Sequence, residues 1–144
     1  MRVVIDTNVL ISALLKANSG PASIVSLWRS GEVELVVSLE VIDEIARVLD
    51  YPKIKKRVSS EEAARFLTLL YTSATIVQSN EKVAAVDADP DDNKFVALAL
   101  ASGAEYIVSG DAHLLDVGTY QDIEILTPAQ FIANVLPDEQ SESE

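Results

Sequence analysis

Four acidic residues from distant parts of the chain, Asp6, Glu44, Asp92 and Asp111, carry its first chemical signal. Aspartate and glutamate offer hard oxygen donors, and a set of them drawn together suits Mg²⁺ or Mn²⁺. The chain has no cysteine and a single histidine, His113. A thiolate site therefore has no material, and Zn²⁺ is disfavoured. Crowded carboxylates repel one another and lose hydration, and a bound cation relieves both costs. Such a cation activates a bound water and polarises the oxygen it touches, which is hydrolytic chemistry. A nucleophilic triad has no support beside a lone histidine, and neither a Walker motif nor GxGxxG is present.

The spacing of apolar residues predicts the elements that gather these acids. Residues 2–5 read as a short buried strand, and Asp6 follows it directly. A helix over 7–16 carries Val9, Leu10, Ala13 and Leu14 at helical spacing. Ser19-Gly20-Pro21 starts a second helix, which stops at Gly31. Residues 34–37 form a second strand, and Ser38 begins a helix that Pro52 closes. Ser59-Ser60-Glu61-Glu62 reads as a capping box before a helix through Leu70. A third strand covers 75–77, and Asp89-Pro90-Asp91-Asp92 opens an apolar helix ending near Gly103. A fourth strand at 105–108, a short helix or turn at 111–115, a fifth strand at 123–126 and a helix over 128–136 complete the series. The expected organisation is one domain over 1–136 and an acidic disordered tail over 137–144.

Strands alternating with helices, and apolar on both faces, predict a doubly wound parallel α/β sheet. Ligands of such sheets sit at the carboxyl edge of the strands, near the switch in strand order. Asp6 and Asp111 follow strands at that edge. Asp92 lies in the first turn and Glu44 in the second turn of helices that start there. Asp92 shares a helical face with Phe95, Val96 and Ala99 and so faces inward. Glu44 lies between Val41 and Val48 on the border of a buried stripe, whereas Asp43 faces solvent and Asp91 is turned away from Asp92. Each acid has a plainer reading. Asp6 and Asp111 can cap helices, the acids at 89–92 can cap a helix and favour its dipole, and Glu44 can be an ordinary surface residue. Their convergence on one edge is the argument for a metal. His113 is read as a solvated turn residue, with support of the site or of a leaving group as the alternative.

The 144 residues are 49% apolar and 24% charged, a globular balance. The net charge of −12 argues against a broad phosphate-binding face. It fits either a solvated acidic surface or acids concentrated at a cation site. Lys53, Lys55, Lys56 and Arg57 form one basic cluster, read as a contact for phosphates or as a solvated turn. Arg47 and Lys94 flank Glu44 and Asp92 and offer counter-charge to the acidic edge. The apolar run at 95–101 is too short to span a bilayer. No signal-peptide pattern follows Met1, and a cytoplasmic location is expected.

At these residues the chain resembles the PIN-domain family. Asp6-Thr7-Asn8-Val9-Leu10-Ile11-Ser12 looks like the family's opening motif, and Glu44 within Val41-Ile42-Asp43-Glu44-Ile45 resembles its second acidic position. Asp89-Pro90-Asp91-Asp92-Asn93-Lys94-Phe95 looks like the third motif, and Ser109-Gly110-Asp111-Ala112-His113 the fourth. The resemblance runs from Met1 to about Asn134. It implies a three-layer α/β domain with a five-stranded parallel sheet flanked by helices. It also implies a Mg²⁺- or Mn²⁺-dependent endoribonuclease that hydrolyses RNA phosphodiesters. Asp6, Glu44, Asp92 and Asp111 are then the metal-holding catalytic acids, and Thr7, Asn8 and Ser109 orient ligands or water.

The branch the chain looks most like is that of VapC-type toxins of toxin–antitoxin pairs, which implies an antitoxin protein and a homodimer. One departure is that many members carry a second aspartate where this chain has His113. One metal or two therefore stays open, with Asp116 as a substitute at an unusual spacing. A catalytically silent PIN-like binding module is the rival reading. A haloacid-dehalogenase-type phosphatase needs an acid where Asn8 stands, and a phosphoacceptor receiver needs a lysine that the last strands lack.

Overall fold

The structure is a computed structural model, and it describes residues 1–78 and 90–135. Strand β1 (Arg2–Ile5) leads into helix α1 (Thr7–Leu15), then α2 (Gly20–Arg29) and β2 (Glu34–Val37). Helices α3 (Leu39–Leu49), α4 (Pro52–Lys55) and α5 (Ser60–Ser73) precede β3 (Thr75–Ile76). A tight helical turn at Pro90–Asp92 runs into α6 (Asn93–Ser102), followed by β4 (Tyr106–Val108) and α7 (Ala112–Val117). A short β5 (Thr119–Tyr120), β6 (Ile123–Leu126) and α8 (Pro128–Asn134) close the described chain.

The strands form one sheet in the order β3-β2-β1-β4-β6-β5. All neighbours are parallel except β5 and β6. The chain builds outward from β1 in one direction through β2 and β3, then returns to lay β4 and β6 on its other side. The order therefore reverses between β1 and β4, which opens a crevice at their carboxyl ends. Successive residues of a strand face opposite sides of the sheet. Val3, Val4 and Ile5 are nevertheless all within 1% of complete burial, so both sides of β1 are covered. Leu35, Val36 and Val37 in β2 and Ile107 and Val108 in β4 repeat this.

Local sequence explains where the helices start. Ser19, Ser38, Ser59 and Thr127 each cap a helix by accepting a backbone N–H, and the last two form capping boxes with Glu62 and Gln130. Helix α6 packs on β1, β2 and β4, which is why Phe95, Val96, Ala97, Leu98 and Ala99 are all buried. Gly103 ends it in the left-handed conformation at φ 72°. Phe131 from α8 meets Tyr106 of β4 edge-on, with ring centroids 5.7 Å apart, and pins the last helix to the sheet.

The sheet has six strands rather than the expected five, because β5 folds back as a two-residue antiparallel edge. Pro52 does not merely end α3. It occupies the first turn of α4, where its missing N–H costs nothing. Helix α5 continues past Leu70 to Ser73. The expected tail over 137–144 and Asp89 lie outside the described residues. Among the described residues no single helix is long and apolar enough to cross a membrane.

Candidate active site

Ile5 pairs with Val108 in the parallel register, so the residues that follow them, Asp6 and Ser109, leave the sheet side by side. The Asp6 backbone N–H still donates to the Val108 carbonyl at 2.9 Å. Four described polar or charged residues are buried, and Asp6, Thr7 and Ser109 are three of them. Buried polar groups are costly unless paired, so their clustering at one strand edge marks a built polar centre within an apolar fold.

Asp6 accepts the Asn8 backbone N–H on Oδ1 at 3.2 Å and the Ser109 hydroxyl on Oδ2 at 2.7 Å. Burial pushes its carboxyl above the usual aspartate range. The bonds from Ser109 and Asn8 pull it back, and the charges of Glu44 and Asp111 push it up again. The mutual repulsion expected between the acids is therefore felt at Asp6. The Ser109 hydroxyl also accepts the Asp111 backbone N–H at 3.0 Å. Asp111 caps α7, accepting the N–H groups of His113 at 2.7 Å and Leu114 at 3.3 Å on Oδ1. The imidazole of His113 has Nδ1 3.9 Å from the same oxygen.

Glu44 reaches this edge from the second turn of α3. Its Oε2 accepts the Thr7 hydroxyl at 2.7 Å, and its Oε1 pairs with Lys94 Nζ at 3.0 Å. Asp92 stands at the N-cap position of α6, but its carboxylate makes no capping bond. The plain capping role thus exists for Asp6 and Asp111 and not for Asp92. Beside Asp111 an open cleft of about 470 Å³ is lined by Asn8, Ser12, Pro21, Gly110 and Pro128 among others. Ser12 was legible as the residue one helical turn beyond Asn8, whereas the cleft itself arises from packing of α1, α2 and α8. Lys53, Lys55, Lys56 and Arg57 lie in and after α4, beyond the end of α3 away from Ser38. There Lys55 pairs with Asp50 at 2.8 Å, and Arg57 donates to the Leu15 carbonyl at 3.5 Å.

Among the described residues, no three acidic or histidine side chains stand close enough together to hold an ion as they are. Glu44 is engaged by Lys94 and Thr7, and Asp6 by Ser109 and a backbone N–H. The donor chemistry still fits a hard divalent cation. Carboxylates and hydroxyls supply only oxygen, their negative charge is in excess, and the burial cost at Asp6 is of the kind a cation relieves.

A family model described as "PIN domain" matches residues 2–113. The uncharacterised protein MJ1680 of Methanocaldococcus jannaschii is 31% identical over 140 residues, covering 92% of this chain and 90% of its own length. The solved structure of the PIN domain of human SMG5 aligns with a TM-score of 0.52 at 14% identity, over 92% of this chain and 97% of that one. At that identity the second likeness speaks to the fold alone.

Proposed function

This chain belongs to the PIN-domain family, and from that premise we propose that it is a divalent-metal-dependent endoribonuclease. PIN domains are commonly nucleases, and the observation that carries the reading here is the edge between β1 and β4. The charges of Glu44 and Asp111 both act on the buried Asp6 there, and an open cleft lies beside Asp111. Asp6, Glu44, Asp92 and Asp111 are the residues to hold Mg²⁺ or Mn²⁺, directly or through water. The metal supplies an activated water and charge stabilisation at the phosphoryl oxygens. The chain's own residues prepare that chemistry. Ser109 and the Asn8 N–H fix the Asp6 carboxylate, Thr7 fixes Glu44, and the α7 N–H groups fix Asp111. The cleft beside Asn8 and Asp111 receives the RNA strand, and the cluster at Lys53, Lys55, Lys56 and Arg57 contacts phosphates farther along it.

The finer reading is a toxin with an antitoxin partner, acting in the cytoplasm as a homodimer. It rests on the motif resemblance. Induced expression arrests growth if it holds, and the Asp6→Asn chain does not. A catalytically silent binding module is the second reading. It is favoured by one observation, that Glu44 already has a charge partner within the chain, Lys94 at 3.0 Å.

Cleavage of labelled single-stranded RNA with Mn²⁺, with EDTA and with the Asp6→Asn chain separates these readings. Cleavage that needs the metal and Asp6 supports the nuclease. Folded protein that neither cleaves several RNAs nor binds Mn²⁺ supports the silent module.

A further inference from the structure

Lys94 is held where a cation is needed. Its side chain is 16% exposed, less than the 25% of the Glu44 side chain it pairs with. The ammonium also lies 5.3 Å from the centroid of the Phe95 ring, on a residue that is 1% exposed. A lysine so placed surrenders much of its hydration, and the acidic edge is what compensates it. Thr7 donates to the other oxygen of Glu44, so each oxygen of that carboxylate has a partner within the chain.

We propose that Lys94 is an exchangeable internal counter-cation, which holds Glu44 in the metal-free chain and must release it before a divalent ion can bind. The inference rests on the metal-dependent reading above and adds a competition to it. An ammonium and a divalent ion cannot both sit within contact of one carboxylate oxygen without strong repulsion. The flexible four-carbon stem of lysine lets the ammonium leave toward solvent at little steric cost. The intrinsic affinity of the acids is thereby reduced by the work of expelling Lys94.

The test is calorimetric titration of the whole chain with Mn²⁺ alone, with melting curves in EDTA and in Mn²⁺. Lys94→Met removes the competitor, and the Mn²⁺ dissociation constant should fall on the order of tenfold. The same variant should melt lower than wild type in EDTA, where Glu44 has lost its partner, and recover that deficit in Mn²⁺. A purely structural lysine predicts the opposite sign, weaker binding by a damaged site. Lys94→Gln, which removes the charge but supplies a hydrogen-bonding amide, should shift binding in the same direction and guards against misfolding of the methionine variant. Lys16→Met removes an equal charge from an exposed residue at the far end of α1 and should leave Mn²⁺ binding unchanged. Unchanged or weaker binding by both Lys94 variants, with wild type binding normally, overturns the exchange and leaves the metal reading intact. Absence of Mn²⁺ binding by wild type and variants alike overturns both.

Discussion

Ser109 donates its hydroxyl to Asp6 Oδ2 at 2.7 Å, across a sequence separation of 103 residues. The bond joins the ends of β1 and β4 and sets the direction of the acid at the switch in strand order. Ser109 is fully buried, and its oxygen also takes the Asp111 N–H. Ser109→Ala strips a charge-assisted bond from Asp6 and an acceptor from Asp111 at once. The expected loss is about 2 kcal/mol in urea unfolding, with weaker Mn²⁺ binding. A loss below about 0.5 kcal/mol, the scale of ordinary surface changes, sinks this account of Ser109.

Asp6 is expected to destabilise the metal-free chain. Burial raises its carboxyl above the usual value, so the fold disfavours its ionised form. Asp6→Asn removes the charge, and its amide can donate to the Ser109 hydroxyl in place of accepting from it. In EDTA at neutral pH the variant should gain about 1 kcal/mol, and it should lose the stabilisation that Mn²⁺ gives wild type. A variant that melts lower in EDTA and keeps its full response to Mn²⁺ would falsify the placement of Asp6 among the metal-holding acids.

Much of this arrangement is written in the order of residue types. An acid directly after a buried strand, twice, puts Asp6 and Asp111 at one edge once the strands are parallel. Helical spacing carries Glu44 to the same edge, because Val41 and Ile45 must pack inward. The partners of those acids are less legible. Thr7 and Lys94 meet Glu44 only after α1, α3 and α6 have packed, and no local spacing encodes that meeting. Strand β5 was hidden for a different reason. It turns into β6 through Gln121, a non-glycine residue at φ 53°, and Gln121-Asp122 lacks the Asn-Gly or Asp-Gly pattern that advertises a hairpin. The helix α4 was hidden because Pro52 reads equally as the end of one helix and the first turn of the next.

Glu34 gives the fold a dependence on pH away from the site. Thr75 donates to its Oε2 at 2.6 Å, and Arg2 lies 3.3 Å from the same oxygen. The Thr75 bond is the main cause that lowers its carboxyl below the usual 4.5, with Arg2 adding to it. A lowered carboxyl stabilises the fold above its ordinary value, and that stability is lost as pH falls from 4.5 through the lower folded value. The side chain is 41% exposed, so solvent screening keeps the effect under about 1 kcal/mol. Thr75→Val should lower stability by that amount at neutral pH, and the gap to wild type should close in acid. A gap of the same size at both ends of the range would assign it to packing of β3 on β2 rather than to the carboxylate.

The basic cluster supplies the test of how an acidic chain engages RNA. Lys55 is already paired with Asp50, and both side chains are largely exposed, 58% and 75%. Water and salt compete with such a pair, so a phosphate can take Lys55 from Asp50 at small cost. Lys56 is exposed and follows in the same turn. Each phosphate that a lysine neutralises on a single strand releases counterions and contributes roughly 0.7 to the slope of log affinity against log salt. Replacing both Lys55 and Lys56 with alanine should therefore flatten that slope by about 1.4 and weaken RNA binding most at low salt. The cluster lies at the end of α3 away from Ser38, so Mn²⁺ binding by the same variant should be unchanged. An unaltered slope would remove the cluster from the RNA path and leave the cleft beside Asn8 and Asp111 to hold the strand without it.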